Sequence, residues 1–179
     1  MKQRSFSTPA IVLNRRNIGE SDRMVTLLTE KKGRVICIAK GVRKLKSSKR
    51  AYLEPGNLIK AFLIKTKSMP LLTQATLIND ASASRQNLKR IRQLVQILEI
   101  FDKLFVEEEL EHYIFKKALT IRQLLLKQQS PSKIKNELSA LIVSLGFQDP
   151  RESKYKSISD YVAALSDRAM KSYQYLKIG

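Results

Sequence analysis

The segment at residues 40–50 carries the densest run of charge in the chain. Six of its eleven residues are Lys or Arg, and none is Asp or Glu. Cationic side chains that neutralise successive phosphates release condensed counterions, which favours binding to a nucleic-acid backbone. The two serines can add hydrogen bonds to phosphate oxygens. The segment therefore predicts a phosphate-binding loop, and the alternative is a charged loop that faces only water. The predicted contacts are Lys40, Arg43, Lys44, Lys46, Lys49 and Arg50.

A second set of cations lies in or next to predicted strands. It consists of Arg15, Arg16, Arg34 and Lys60. If these side chains point outward, they extend the basic surface across a sheet. Basic residues are also ordinary on the polar face of a half-buried strand, so both interpretations stay open.

The charge of the whole chain indicates a polyanionic partner. Its 179 residues include 34 Lys and Arg but 16 Asp and Glu, a formal net charge of +18. Residues 1–80 alone hold 17 Lys and Arg against 5 Asp and Glu. Such an excess is typical of proteins that bind nucleic acid or an anionic membrane surface.

Several kinds of chemistry are excluded by residue counts. The chain has one Cys and one His, too few for a zinc site of four such ligands or for an intramolecular disulfide. Cys37 alternates with apolar residues and is predicted to be buried, and His112 is predicted to lie at the surface. Residues 19–23, GESDR, are interpreted as a turn with paired charges. Without a nucleophile–base pair or a glycine-rich phosphate loop, we expect no enzyme and no cofactor.

Hydropathy gives no sign of a membrane segment. No stretch approaches the ~18 apolar residues of a transmembrane helix. The apolar run at residues 10–13 is too short for the core of a signal peptide. A cytoplasmic protein is therefore expected.

The first half of the chain is predicted to form strands. Short apolar runs separated by Gly, Pro and basic clusters predict five of them, at 10–13, 24–29, 34–39, 58–64 and 71–78. Gly33 would supply the positive φ of a hairpin turn between the second and third. Five short strands in about 75 residues favour a small closed or nearly closed barrel. An SH3-like barrel fits the same count.

The second half is predicted to form helices. Apolar residues recur with a period near 3.6, which predicts helices over about 88–105, 107–127, 131–145 and 158–176. Ser130 followed by Pro131 is typical of a helix start, and Gly146 of a helix end. Ser157 and Asp160 have the spacing of a capping box. The predicted domains are residues 1–80, with strands, and residues 81–179, with helices.

The second predicted helix carries a possible docking groove. Lys116, Lys117 and Arg122, with Leu125 nearby, could bind an acidic peptide that has a hydrophobic end. An ordinary amphipathic helix explains the same residues. The acidic cluster at residues 107–111 is interpreted as the first turn of this helix, where carboxylates complement the helix dipole.

The order of these motifs resembles the RecO family of bacterial recombination mediators. The resemblance covers about residues 8–126. It rests on four stretches of the chain. The first is AIVL at 10–13 with GESDR at 19–23, and the second is TLLT at 26–29 with GR at 33–34 and AKGVR at 39–43. The third is LEPG at 53–56, and the fourth is FVEEE at 105–109 with Phe115.

Membership of this family implies an α+β architecture, with an N-terminal five-stranded OB-fold β-barrel and a C-terminal all-α helical domain. It also implies a non-enzymatic activity, the binding of single- and double-stranded DNA and the annealing of complementary strands. The implied partners are RecR and the acidic C-terminal tail of single-strand binding protein, with which the family helps to load RecA recombinase. The resemblance makes Lys116, Lys117 and Arg122 candidates for the tail site, and it implies a nucleoid-associated cytoplasmic location.

One departure from the family pattern concerns metal. Many RecO proteins carry a four-cysteine zinc module after a Leu-Gly-x-x-Pro segment. Residues 145–150, LGFQDP, match that segment, but no cysteine follows. We therefore expect no zinc.

The resulting hypothesis is a recombination mediator of the RecF pathway that acts on DNA coated with single-strand binding protein. Its barrel would hold two phosphate backbones and reduce their repulsion during annealing. An RNA-binding or ribosome-associated protein with the same charge is the first alternative. A structural adaptor, whose charge serves only solubility, is the second.

Overall fold

A computed structural model describes residues 4–43, 49–167 and 170–171. The chain divides into two compact units. The first contains residues 1–81 together with the short segment Val106–Glu109, and the second contains residues 82–105 and 110–179.

The first unit is a closed five-stranded barrel. Its strands are β1 (Ser5–Ile18), β2 (Asp22–Thr29), β3 (Gly33–Ala39), β4 (Leu58–Ile64) and β5 (Leu71–Asn79), joined in the order β1-β2-β3-β5-β4. A short helix, α1 (Lys49–Tyr52), lies between β3 and β4. This arrangement confirms the predicted five-stranded OB-fold. The barrel closes between β3 and β5 through one parallel pair, Ile38 with Leu71.

Strict alternation along the strands builds the barrel interior. Val25 and Leu27 on β2 and Val35, Cys37 and Ala39 on β3 belong to one buried cluster. Successive side chains of a strand point to opposite faces, so the residues between them face outward. The turn after β2 leads into Gly33, the first residue of β3, which has the predicted positive φ of +57°.

β1 is much longer than the predicted strand at 10–13. Its first half pairs with β4, from Ser5 opposite Ile64, and its second half pairs with β2, as far as Ile18 opposite Asp22. The polar second half is a strand because its backbone completes the ladder with β2. An apolar run alone therefore located only the part of β1 that is buried on both faces.

The second unit contains four helices among the residues described. They are α2 (Leu88–Leu104), α3 (His112–Leu126), α4 (Pro131–Ser144) and α5 (Ile158–Ser166). The predicted caps are confirmed: Ser130 Oγ accepts from the backbone N–H of Lys133, and Ser157 Oγ accepts from that of Asp160. Single-turn 3-10 helices at Ser82–Arg85 and Pro150–Glu152 accompany them.

The second predicted helix starts later than expected, at His112. Val106–Glu109 returns to the barrel instead, where the carbonyl of Val106 accepts from Arg34 N at 2.9 Å and Glu107 forms a β-bridge with Gly33. Lys32 Nζ lies 2.6 Å from Glu109 Oε1, and this hydrogen bond lowers the pKa of the Glu109 carboxyl. The acidic cluster is thus not a helical first turn, because its backbone is bonded to the edge of β3.

The last predicted helix is shorter than expected. α5 ends at Ser166, and Asp167 adopts the left-handed conformation, φ +49°, that closes many helix ends. Of the predicted residues that follow, Met170 and Lys171 are not helical, and the others lie outside the described residues.

A buried polar pair joins α2 to α5 and yields a stability prediction. The side chain of Gln96 is 0% exposed, and its Nε2 donates to Ser159 Oγ. Within the described part of the chain, its Oε1 has no hydrogen-bond partner. Ser159→Ala would leave both polar atoms of the amide unpaired. We expect the free energy of unfolding to fall by about 1–3 kcal/mol in urea titrations.

Two matched variants test the cause of that loss. Ser132→Ala, on the exposed side of α4, should leave the unfolding midpoint nearly unchanged. Gln96→Leu combined with Ser159→Ala should recover part of the lost stability, because no buried polar atom then remains. A single Ser159→Ala variant as stable as the parent chain would contradict the assigned pairing.

Candidate nucleic-acid interface

The outer face of β2 and β3 forms a half-exposed aliphatic surface. Met24 lies opposite Ile38, and Thr26 opposite Ile36. All four side chains are partly exposed, and directly opposed residues share one face of a sheet. In OB-folds this strand pair, with the loops after β1 and β4, is the usual oligonucleotide surface.

Arg16 borders this surface on β1. It pairs across the sheet with Met24 and is exposed. Its Nε lies 3.2 Å from the Met24 Sδ, so the guanidinium extends over the β2 edge of the surface. Arg34 stands at the other end, at the start of β3, and is half-exposed. These two predicted residues therefore share the outer face.

The start of the basic segment is fixed to the turn between β1 and β2. The carboxylate of Asp22 accepts from Gly41 N at 2.8 Å. Arg43 donates from its backbone to Ser21 O and from NH1 to Gly19 O, each at 3.0 Å. The predicted turn at residues 19–23 is confirmed for residues 19–21, whereas Asp22 and Arg23 already belong to β2 because they pair with the end of β1. The polar groups of this connection position residues 40–43 beside the surface. Lys40, at this junction, is exposed.

Arg15 does not lie on the outer face, although the sequence grouped it with Arg16. It pairs with Val25, an inward residue, and therefore points toward the barrel end. There its NH2 forms a 2.8 Å ion pair with Glu54 Oε2. A period of two places neighbouring residues on opposite faces, which is why Arg15 and Arg16 have different surroundings.

Arg23 accompanies Arg15 at the same barrel end. It lies opposite Ala39 and is 5% exposed. Burial, followed by the charge of Arg15, lowers the pKa of Arg23, and Glu54 opposes this effect. Sequence reasoning assigned Arg23 no role beyond a turn.

The remaining predicted contacts are divided between described and undescribed residues. Arg50 is exposed on α1. Lys49 begins α1, but its side chain lies outside the described part of the structure, as do Lys44 and Lys46 in full. Lys60 is exposed on β4, whose neighbours are β1 and β5, so it belongs to another part of the barrel wall.

Two cations that the sequence did not single out lie in the turn after β4. Lys65 and Lys67 are exposed, and the turn ends at Pro70, whose carbonyl accepts from Ile38 N at 2.9 Å. This bond brings the turn to the β3 side of the surface. In the sequence, both lysines lie between the fourth and fifth predicted strands, and this spacing was the signal that could have identified them.

The predicted peptide groove on α3 is not assembled on one exposed face. Lys116 is exposed, whereas Arg122 is 2% exposed. With 3.6 residues per turn, these positions are about 120° apart around the helix. Lys117 is half-exposed.

Other functional groups are sparse among the residues described. They contain no group of three or more His, Cys, Asp or Glu that could hold a metal ion. Burial raises the pKa of the Cys37 thiol to about 12, so it is not a thiolate nucleophile at neutral pH. No described helix is both long and apolar enough to cross a membrane.

Comparison with known proteins gives the following relationships. Residues 1–81 match a family model described as the N-terminal domain of recombination protein O. The chain is similar to DNA repair protein RecO of Heliobacterium modesticaldum, 35% identical over 101 residues, 56% of this chain and 37% of the relative. The corresponding protein of Syntrophomonas wolfei is 32% identical over 98 residues, 55% of this chain and 39% of the relative. The corresponding protein of Roseiflexus is 34% identical over 121 residues, which are 68% of this chain and 41% of the relative. Each match spans about two fifths of the relative's length.

Proposed function

Because residues 1–81 form a RecO N-terminal domain, we propose that the chain binds DNA and acts as a recombination mediator that anneals complementary strands. The observation that carries the proposal is the aliphatic surface of β2 and β3 with exposed cations on three sides. These cations are Arg16 on β1, Lys40 after β3, and Lys65 with Lys67 after β4.

The chemistry of this surface favours contact with the phosphate backbone over reading of bases. Its centre holds Met24, Thr26, Ile36 and Ile38 and no aromatic ring on which bases could stack. Cations around it neutralise phosphates of any sequence. Binding is then tolerant of sequence, and base pairing alone selects the complementary strand.

Annealing follows from charge neutralisation. Two backbones repel each other while their strands approach, and a cationic surface that holds both reduces this repulsion. No covalent step is needed, and we therefore propose a non-enzymatic role in recombinational repair. The proposal includes RecR and the acidic tail of single-strand binding protein as partners, with Lys116 and Lys117 as candidate contacts for the tail.

Annealing of complementary strands coated with their cognate single-strand binding protein tests this function. We expect duplex formation to be faster when the chain is added. Fluorescence resonance energy transfer between end-labelled strands measures the rate. Acceleration on bare strands alone would support the DNA surface and contradict the proposed tail contact. No acceleration on either would contradict the proposed function, and preferential binding to RNA in the same buffer would then favour an RNA-binding protein.

A further inference from the structure

Arg15 and Arg23 lie against one carboxylate at the end of the barrel where α1 lies, and burial and the nearby charges of Arg43 and Arg50 lower the pKa of Arg23. Arg15 and Arg23 point inward from β1 and β2, and Arg23 NH1 lies 3.4 Å from the carbonyl of Arg50. Arg43 is bonded to the turn that precedes Arg23. Glu54, shortly after α1, is the carboxylate paired with this group. The cluster thus holds one carboxylate, the two guanidinium groups beside it, and two further cationic charges that act on Arg23.

The pairing of Glu54 leaves the cluster incompletely satisfied. Its Oε2 contacts Arg15 NH2 at 2.8 Å, but its Oε1 is 3.9 Å from Arg23 NH1, beyond hydrogen-bond distance. The Nε of Arg15 is buried and has no hydrogen-bond partner among the described residues. Nε and a terminal nitrogen form the arginine edge that binds carboxylates and phosphates in a bidentate manner. Glu54 therefore uses half of an edge that a phosphate group could use in full.

The surrounding charges favour a further anion. Burial and the neighbouring charge of Arg15 both lower the pKa of Arg23, which reports a desolvated cation among like charges. The nearest other carboxylate along the turn, Asp22, already accepts from Gly41 N and Ser21 Oγ. An incoming phosphate would relieve this repulsion while keeping the buried guanidinium hydrogen-bonded.

We propose that Arg15, Arg23, Arg43 and Arg50 form a phosphate site that Glu54 occupies in the unbound protein, and that a phosphodiester of the bound strand displaces Glu54 from Arg15. The inference rests on the proposed function and deepens it. Glu54 is then an internal competitor of nucleic acid, and it keeps Arg15 paired until a strand arrives.

Glu54→Gln tests this competition. Fluorescence anisotropy with a labelled single-stranded oligonucleotide, titrated between 50 and 300 mM NaCl, gives the affinity and its salt dependence. One additional phosphate contact steepens the log–log salt slope by about 0.7, which corresponds to about fivefold tighter binding at 0.1 M salt. We expect both changes.

Glu108→Gln is the matched control. It removes the same charge from an exposed position of the same unit, in the segment that packs on the opposite end of β3. It should bind the oligonucleotide like the parent chain. If the two variants bind alike while the parent chain binds DNA, the Glu54 inference is overturned and the proposed function stands.

Two further experiments distinguish failure of the phosphate site from failure of the proposed function and from misfolding of the variant. If the parent chain binds no DNA, the proposed function fails, and thermal unfolding with pyrophosphate decides the site on its own. A larger rise in Tm for Glu54→Gln than for the parent chain supports a site for free phosphate, and an equal rise overturns the site. If Glu54→Gln does not fold, Arg15→Gln should bind DNA with a salt slope about 0.7 shallower, and an unchanged slope overturns the inference.

Discussion

Gly33→Ala is expected to lower the free energy of unfolding of the barrel unit by about 3 kcal/mol. Gly33 has φ +57°, and an L residue in the left-handed region costs about 1–2 kcal/mol. A Cβ at this position would lie 2.4 Å from the carbonyl oxygen of Val106 and 3.3 Å from that of Glu108. These are backbone atoms, so the segment itself must move. It would then lose the bond from Arg34 N to Val106 O, which contributes about 1 kcal/mol.

Gly19→Ala separates the two causes. Gly19 has a similar φ of +53°, but no atom of the residues that the structure describes lies within 4 Å of the position that a Cβ would take there. It should therefore show the backbone cost alone, and the difference between the variants measures the contact with Val106–Glu109. Unfolding of the barrel unit in urea can be monitored by the reaction of the buried Cys37 thiol with a disulfide reagent. Equal losses in the two variants would contradict the packing of this segment on β3.

Arg16→Glu combined with Lys40→Glu is expected to weaken single-stranded DNA binding on every sequence. Both side chains are exposed at the border of the β2–β3 surface. Each lost phosphate contact makes the log–log salt slope about 0.7 shallower, equivalent to about fivefold in affinity at 0.1 M salt. The pair should therefore cost about 25-fold, before any repulsion from the new carboxylates.

The matched control places the same charge change elsewhere on the barrel. Lys31→Glu with Lys60→Glu alters an exposed residue of the β2–β3 turn, at the opposite end of the strand pair from Arg16 and Lys40, and an exposed β4 residue. It should reduce affinity much less, through the general field of the protein alone. If both double variants bind equally weakly with equal salt slopes, DNA contact is spread over the whole barrel and the β2–β3 surface has no special role.

Elements whose apolar residues follow a clear period were predictable from the sequence. β4 spans Leu58–Ile64, as expected, and the start of α4 follows from Ser130 with Pro131. Both depend on local physics, either burial of alternate residues or the satisfaction of the first N–H groups of a helix. The sequence also identified the cationic character of the segment after β3.

Features that depend on a distant partner were not predictable. The second half of β1 is a strand because β2 lies beside it, and residues 106–109 leave the helical pattern because the edge of β3 accepts them. Which of Arg15 and Arg16 faces outward depends on the phase of β1, which a bulge between Val12 and Asn14 sets. The charge pattern alone does not reveal that phase. The sequence therefore grouped Arg16, which lies on the outer face, with Arg15, which pairs with Glu54.

The return of Val106–Glu109 to the barrel has a consequence for how the first unit folds during synthesis. Residues 1–81 contain all five strands that the structure describes, yet the backbone N–H of Arg34 finds its partner at Val106. At about 5–20 residues per second, a ribosome needs roughly one to five seconds to add the intervening chain. During that interval the nascent barrel has an unpaired strand edge, the kind of surface on which chains associate. A fragment cut after residue 81 would retain that edge permanently, so one that is meant to stay monomeric should carry residues 106–109 as well.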